Sequence, residues 1–208
     1  QILKGRDVVG IAQTGTGKTA AFALPILQML DAQEMEVDVR PPRALILVPT
    51  RELAVQVTDS FYNYGEHLGQ RIIPVYGGVR VDNQIKRLKR GADIIVATPG
   101  RLLDLLEREI FSLESVQTLV LDEADRMLDL GFSREIDKLM RQMPKQRQTL
   151  LFSATIADNI DELSHKILTK PVQISVTKRN STAATVQQMA YRVDGHDKAD
   201  TLSYMIQG

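Results

Sequence analysis

The sequence has 208 residues, 43% of them hydrophobic, and its 26 Lys plus Arg balance 26 Asp plus Glu. That length and apolar content suit one globular domain, or one with an appendage, and zero net charge means that any nucleic-acid-binding surface must be local. The absence of cysteine excludes disulfides, thiolate zinc sites and thiol catalysis.

In chain order, the apolar run Val8-Val9-Gly10-Ile11 predicts a strand, and the octapeptide Ala12-Gln13-Thr14-Gly15-Thr16-Gly17-Lys18-Thr19 follows it directly. A strand ending in a Gly-rich turn that opens a helix, here expected over 17–30, aims backbone N–H groups and a positive dipole end at one spot. Polyphosphate suits that geometry: Gln13 to Thr19 would cradle it, Lys18 would reach the β- and γ-phosphates, and the Thr19 hydroxyl would ligate Mg2+. Ala12 departs from the general pattern, which asks for Gly there. The plain alternative is an ordinary strand-to-helix turn with a solvated lysine.

Further continuous apolar runs at 44–48, 72–75, 94–97, 118–121, 149–152 and 172–176 predict strands covered on both faces. Helical patterns separate them at 51–68, 81–89, 100–107, 132–143 and 158–168. This alternation predicts an α/β domain, a doubly wound and mostly parallel sheet with helices on both faces and ligands at the carboxyl ends of its strands. Polar clusters fall after the strands: Pro49-Thr50-Arg51, Gly77-Gly78, Thr98-Pro99-Gly100-Arg101, Asp122-Glu123-Ala124-Asp125 and Ser153-Ala154-Thr155. Asp122 at a strand end can hold Mg2+ and Glu123 can orient the attacking water. Each cluster also has a purely structural reading, as a helix cap or a turn.

Residues 177–185 read as a linker, so the first domain is expected over 1–176. The remaining 177–208, with a strand at 186–193 and a helix at 198–206, reads as the truncated start of a second domain or as a tail docked on the first. The Lys86 to Arg90 run reads as a solvated helix face; Phe22, Phe61 and Phe152 read as core; Tyr62 and Tyr64 read as partly exposed. No apolar run approaches the ~20 residues of a membrane span and residues 1–6 lack a leader pattern, so a soluble, cytoplasmic protein is expected.

As a set in this order, these motifs resemble the DEAD-box family of ATP-dependent RNA helicases, with details closest to its bacterial RhlE-type branch. The resemblance implies a RecA-like P-loop domain, in which Ala at the position of Ala12 is usual, and an RNA-dependent ATPase using ATP and Mg2+. Lys18, Asp122 and Glu123 would be catalytic, with Thr19 and Asp122 on the metal. Ser153 and Thr155 would hydrogen-bond towards the Asp122 to Asp125 segment, with Asp125 as one partner, and couple ATP state to strand separation. Pro49, Thr50, Arg51, Gly77, Gly78, Thr98, Pro99, Gly100 and Arg101 would contact RNA. Their chemistry fits phosphates and sugars rather than base edges, so binding is expected to be independent of sequence. The family's upstream Gln element and its second RecA-like domain, which supplies arginine fingers, are not in this sequence, so the isolated chain is expected to be nearly inactive. Alternative activities are an ATP-switched RNA clamp or scaffold and a DNA-acting helicase relative.

Overall fold

The computed structural model describes residues 1–13, 15–33, 37, 39–155, 157–176, 189 and 191–207. The chain divides into two compact units, Gln1–Thr177 and Lys178–Gly208. In the first, a short 3-10 helix at Ile2–Lys4 precedes β1 (Val8–Ile11), α1 (Lys18–Asp31), β2 (Ala44–Leu47), α2 (Arg51–Tyr64), β3 (Ile72–Val75), α3 (Val81–Leu88) and β4 (Ile94–Ala97). Then come α4 (Pro99–Glu107), β5 (Thr118–Leu121), α5 (Ala124–Asp129), α6 (Ser133–Arg141), β6 (Gln148–Ser153), α7 (Asp158–Ile167) and β7 (Val172–Ser175). In the second unit α8 spans Lys198–Gln207. Most of the linker and of the strand expected at 186–193 lies outside the described residues, and 191–193 form no regular element.

All seven strands are parallel, in the order β3-β4-β2-β5-β6-β1-β7. Burial on both sides explains the continuous apolar runs of β1 to β6; β7, expected to be covered on both faces, is instead an edge strand whose Gln173, Ile174 and Ser175 are exposed. Alternate residues of β1 to β6 belong to different layers, as a two-residue period requires. Val8, Ile46, Ile94, Val96, Val120, Leu150 and Phe152 pack with α1 and α2, whose Phe22, Ile26 and Phe61 are fully buried. Val9, Ile11, Leu45, Leu47, Ile95, Leu119, Leu121 and Leu151 face the layer formed by α3 to α7. Gly10 lies where a Cβ would come within 2.5 Å of the Phe152 ring, so its lack of a side chain lets that ring cross β1 and reach Phe22, 5.4 Å away between centroids.

Two buried carboxylates pin the amino ends of the strands. Asp7, before β1, accepts hydrogen bonds from the backbone N–H groups of Thr149 (2.8 Å) and Thr169 (2.7 Å), tying β1 to β6 and to the approach to β7. Asp93, before β4, has no solvent exposure and meets Arg43 (2.6 Å), Arg40 (3.0 Å) and the N–H of Arg71 (2.8 Å), joining the starts of β2, β3 and β4. Arg43 also donates to the carbonyl of Gln33 at 2.6 Å, just beyond α1.

Burial alone would raise the Asp93 carboxyl, but the hydrogen bonds from Arg71, Arg43 and Arg40 prevail and hold it below the ordinary aspartate value. A depressed carboxyl contributes stability above its unfolded value, and that contribution is lost as pH falls through the folded one. Asp93→Asn, which leaves Arg43 buried without a counter-charge, should cost about 3–5 kcal/mol in urea unfolding at pH 7. The gap between variant and parent should begin to narrow as pH falls below about 4, the ordinary aspartate value at which the unfolded chain takes up its proton, and close only below the lower folded value. An unchanged urea midpoint would show that the cluster contributes nothing to stability.

Candidate functional site

The strand order groups the polar loops. The loops after β1, β6 and β5 are neighbours on the carboxyl rim, and those after β2, β4 and β3 continue the same rim. Backbone bonds extend the ladder past the strands: Ala12 N–H donates to Ser153, Asp122 to Leu47, Val48 to Ala97 and Thr98 to Val75.

After β1 the chain turns through Gly15 (φ 79°) and Gly17 (φ 84°), left-handed conformations that favour glycine. The Thr16 hydroxyl closes the turn by donating to the Gln13 carbonyl at 2.7 Å. Thr14 lies outside the described residues. Lys18 and Thr19 open α1, whose first turn holds no acidic residue. The Lys18 Nζ is buried and has no hydrogen-bond partner among the described residues. A buried ammonium without an acceptor is costly, so this atom calls for an anion. An apolar cavity of about 300 Å³, lined by Gly10, Ala12, Ala21, Pro25, Phe152 and Ile174 among others, flanks the loop.

Asp122, only 3% exposed, stands at the end of β5. Burial pushes its carboxyl up to about 6, reinforced by the charges of Glu123 and Asp125 and opposed by Lys18 and by the Glu123 N–H, which donates to it at 3.0 Å. Glu123 adopts φ 51°, ψ 50°, a left-handed conformation that costs a non-glycine residue about 1–2 kcal/mol. Its carboxylate lies 3.7 Å from Arg126. An ammonium with no acceptor among the described residues and a desolvated carboxylate that feels its charge, on the loops either side of the one after β6, fit a polyphosphate with its cation, which would satisfy both. Among the described residues no group of three or more His, Asp or Glu is placed to hold a metal.

One Asp125 oxygen accepts from the N–H groups of Ala154 (3.1 Å) and Thr155 (3.2 Å) and from the Thr155 hydroxyl (3.1 Å). The structure thus brings Asp125 and Thr155 together. Ser153 is buried and accepts from the Thr155 N–H at 3.3 Å, and its hydroxyl makes no described contact with Asp122 to Asp125. On the other half of the rim Thr50 caps α2 by accepting the Leu53 N–H (3.2 Å), so for this hydroxyl the structural reading holds. Pro49 is buried, and Thr98, with no side-chain capping bond, precedes Pro99 and Gly100 in the first turn of α4. Arg51 lies 5.3 Å above the Tyr76 ring, its Nη1 close to Gly78 (φ 76°), and Arg101 donates to the Val79 carbonyl at 3.4 Å. Gly77 completes this turn in open space.

Two residues of this rim gave no signal in the sequence. Tyr76 passes for a strand-end aromatic, and Gln84 for one of the polar residues of an amphipathic helix. Gln84 is in fact buried, and its register in α3, between Val81 and Leu88, is the only trace of that.

The model of the DEAD/DEAH box helicase family matches residues 1–163. The chain belongs to that family. It is 43% identical over 204 residues to the DEAD-box ATP-dependent RNA helicase CshA of Streptococcus pneumoniae, covering 98% of this chain and 38% of that protein. It is 46% identical over 202 residues to the ATP-dependent RNA helicase DeaD of Buchnera aphidicola, covering 97% and 33% respectively. Among solved structures, a hypothetical ATP-dependent RNA helicase from Sulfolobus tokodaii matches with a TM-score of 0.76 and 38% identity, over 84% of this chain and 49% of that one. The chain therefore spans about a third of the length of these curated relatives and corresponds to their first RecA-like region. No helix among the described residues is long and apolar enough to cross a membrane.

With a carboxyl raised to about 6, the fold binds the Asp122 proton more tightly than the unfolded chain does, so ionisation costs stability increasingly from about pH 4 and fully above about pH 6. In EDTA, Asp122→Asn should therefore stabilise the chain by about 1–3 kcal/mol at pH 8 and by nearly nothing at pH 4. Equal urea midpoints for the two proteins at pH 8 would show that this carboxylate is not under strain.

Proposed function

We propose that this chain is the ATP-binding half of an RNA-dependent ATPase and helicase, with ATP and Mg2+ held along the loops after β1 and β5. The observation that carries this reading is the buried Lys18 ammonium at the head of α1, unpaired among the described residues, with the desolvated Asp122 within reach of its charge. Backbone N–H groups of Gln13 to Thr19 would hold the phosphates and Lys18 the β- and γ-phosphates; Thr19 and Asp122 would hold the cation. The cation would neutralise charge on the transferring phosphoryl group. Glu123, fixed by its left-handed backbone, would orient the attacking water. Asp125 would link that segment to Ser153 and Thr155, the coupling element.

RNA would lie across the loops after β2, β4 and β3, with Arg51 and Arg101 on phosphates, the Thr50 and Thr98 side of the helix ends adding polar contacts, and the Gly77-Gly78 turn and Pro99-Gly100 allowing close backbone approach. Such contacts follow phosphates and sugars and carry no base code. The same reading makes a second RecA-like domain the partner of this rim and the cytoplasm its compartment. Residues 1–176 act as the ATP-binding domain, and 177–208 as the linker and beginning of the second.

Titration calorimetry with ADP and Mg2+ should show binding to the chain and its loss in Lys18→Ala, while both proteins melt alike. Equal binding in the two, or none in either, would remove the phosphate loop as the working site. ATP turnover by the isolated chain with single-stranded RNA should lie about 10³- to 10⁵-fold below that of a two-domain helicase, because no arginine arrives from a partner domain. RNA-stimulated turnover by the isolated chain at a two-domain rate would contradict this assignment of roles.

A further inference from the structure

We infer that Gln84 is a positioning residue for RNA binding: its buried side-chain amide holds the Tyr76 to Arg80 turn in the shape that presents Arg51, Gly78 and Arg101. The inference rests on the RNA rim described under the proposed function.

Five residues connect β3 to α3, and β3 is an edge strand with β4 on one side only. Among the described residues no backbone–backbone hydrogen bond outside the regular elements involves residues 76–80. Side chains hold the turn instead. The Tyr76 N–H donates to Gln84 Oε1 at 3.1 Å, and Gln84 Nε2 donates to the Tyr76 carbonyl at 3.1 Å. The amide thus does for Tyr76 what the peptide group of a further strand would do, satisfying a donor and an acceptor at once. The orientation of the amide is dictated by the backbone, since N–H requires an acceptor and C=O a donor. Gln84 is 7% exposed, so water competes poorly for either bond.

From Tyr76 the restraint reaches both candidate phosphate-binding arginines. The Tyr76 ring lies under the Arg51 guanidinium, whose Nη1 would be 3.6 Å from a Cβ at Gly78. The next residue, Val79, offers its carbonyl to Arg101 at 3.4 Å. Arg51 starts α2 and Arg101 belongs to the first turn of α4. One amide on α3 therefore registers the loops after β2, β3 and β4 against each other. Only glutamine meets the requirement: methionine provides neither bond, a glutamate carboxylate sets charge against the Tyr76 carbonyl, and asparagine is one methylene shorter. A protonated glutamic acid, with one C=O and one O–H, restores both.

The test measures binding of fluorescein-labelled U10 to the 208-residue chain at low salt, with ADP–Mg2+ affinity and melting temperature recorded for every variant. Gln84→Met and, at pH 8, Gln84→Glu should weaken U10 binding about tenfold while ADP affinity stays within twofold. Relative to parent at each pH, Gln84→Glu should recover as pH falls and its carboxyl becomes protonated, whereas Gln84→Met should not. Parent-like U10 binding in both variants, with Arg101→Ala clearly weakened, would overturn the role of Gln84 and leave the RNA rim standing. Parallel loss of U10 binding, ADP binding and melting temperature would overturn it too, showing a fold residue only. If Arg51→Ala and Arg101→Ala bind U10 as the parent does, the RNA rim itself fails and this inference falls with it.

Discussion

The constraint on which everything else depends is that all seven strands run the same way. A parallel sheet sends every strand end to one rim, and every connection must return across a face before the next strand begins. The order β3-β4-β2-β5-β6-β1-β7 then does the sorting. It sets the loops after β5, β6 and β1 side by side, so that Asp122, Thr155 and Lys18 share a neighbourhood although more than a hundred residues separate the last from the others. The loops after β3, β4 and β2 become a second contiguous group. The opposite rim carries the fixing charges. Asp7 and Asp93, both buried, each draw the beginnings of several strands together at the rim opposite the polar loops.

The working rim shows the reverse economy. Lys18 Nζ is buried without an acceptor among the described residues, Asp122 is desolvated so that its carboxyl is raised, and Glu123 is held in a left-handed conformation. Each of these destabilises the chain by an amount comparable with a well-made hydrogen bond, and together they are tolerated because the two apolar layers over-determine the backbone around them. Functional sites are where such unrelieved terms collect, since a group already satisfied by the protein has nothing left for a ligand.

Most of the fold was legible in the sequence because a strand buried on both faces is a short continuous apolar run, and six such runs form β1 to β6; the seventh, at 172–176, showed itself as a strand but not as the exposed edge strand it is. Helix ends were less legible. The helix expected over 51–68 stops at Tyr64, followed by Gly65, and α5, only six residues long, is too short to show a period. The candidate site was legible where a residue type carries the chemistry, as in Lys18, Asp122 and Asp125. It was illegible where the role is that of holding a backbone group, as for Gln84, because an amide facing a carbonyl and an amide facing water read alike in a sequence. The Lys86 to Arg90 run shows the same limit. It is solvated as read, with Lys86, Arg87, Lys89 and Arg90 all exposed, but Arg87 also donates to the Tyr62 hydroxyl and to the Ile72 carbonyl, which accepts from Tyr62 as well and gives that exposed ring a purpose.

The two halves of the rim differ in how they are tied together, and that difference bears on how one could influence the other. Within the sheet the last ladder bond from Asp122 to Leu47 joins the acidic loop to β2 three residues before Thr50. Such a bond belongs to a close-packed core and has one geometry. The link between Asp125 and Thr155 is of another kind: three hydrogen bonds gathered on one carboxylate oxygen, exposed to solvent, between two loops rather than two strands. Each is worth little net of water, and they share an acceptor, so displacing that single oxygen releases all three together. Under the proposed function the rim would respond to the state of a bound nucleotide, and a contact that can switch between discrete arrangements without disturbing the sheet beneath it is the kind such a response would use; the Asp125–Thr155 contact is built that way.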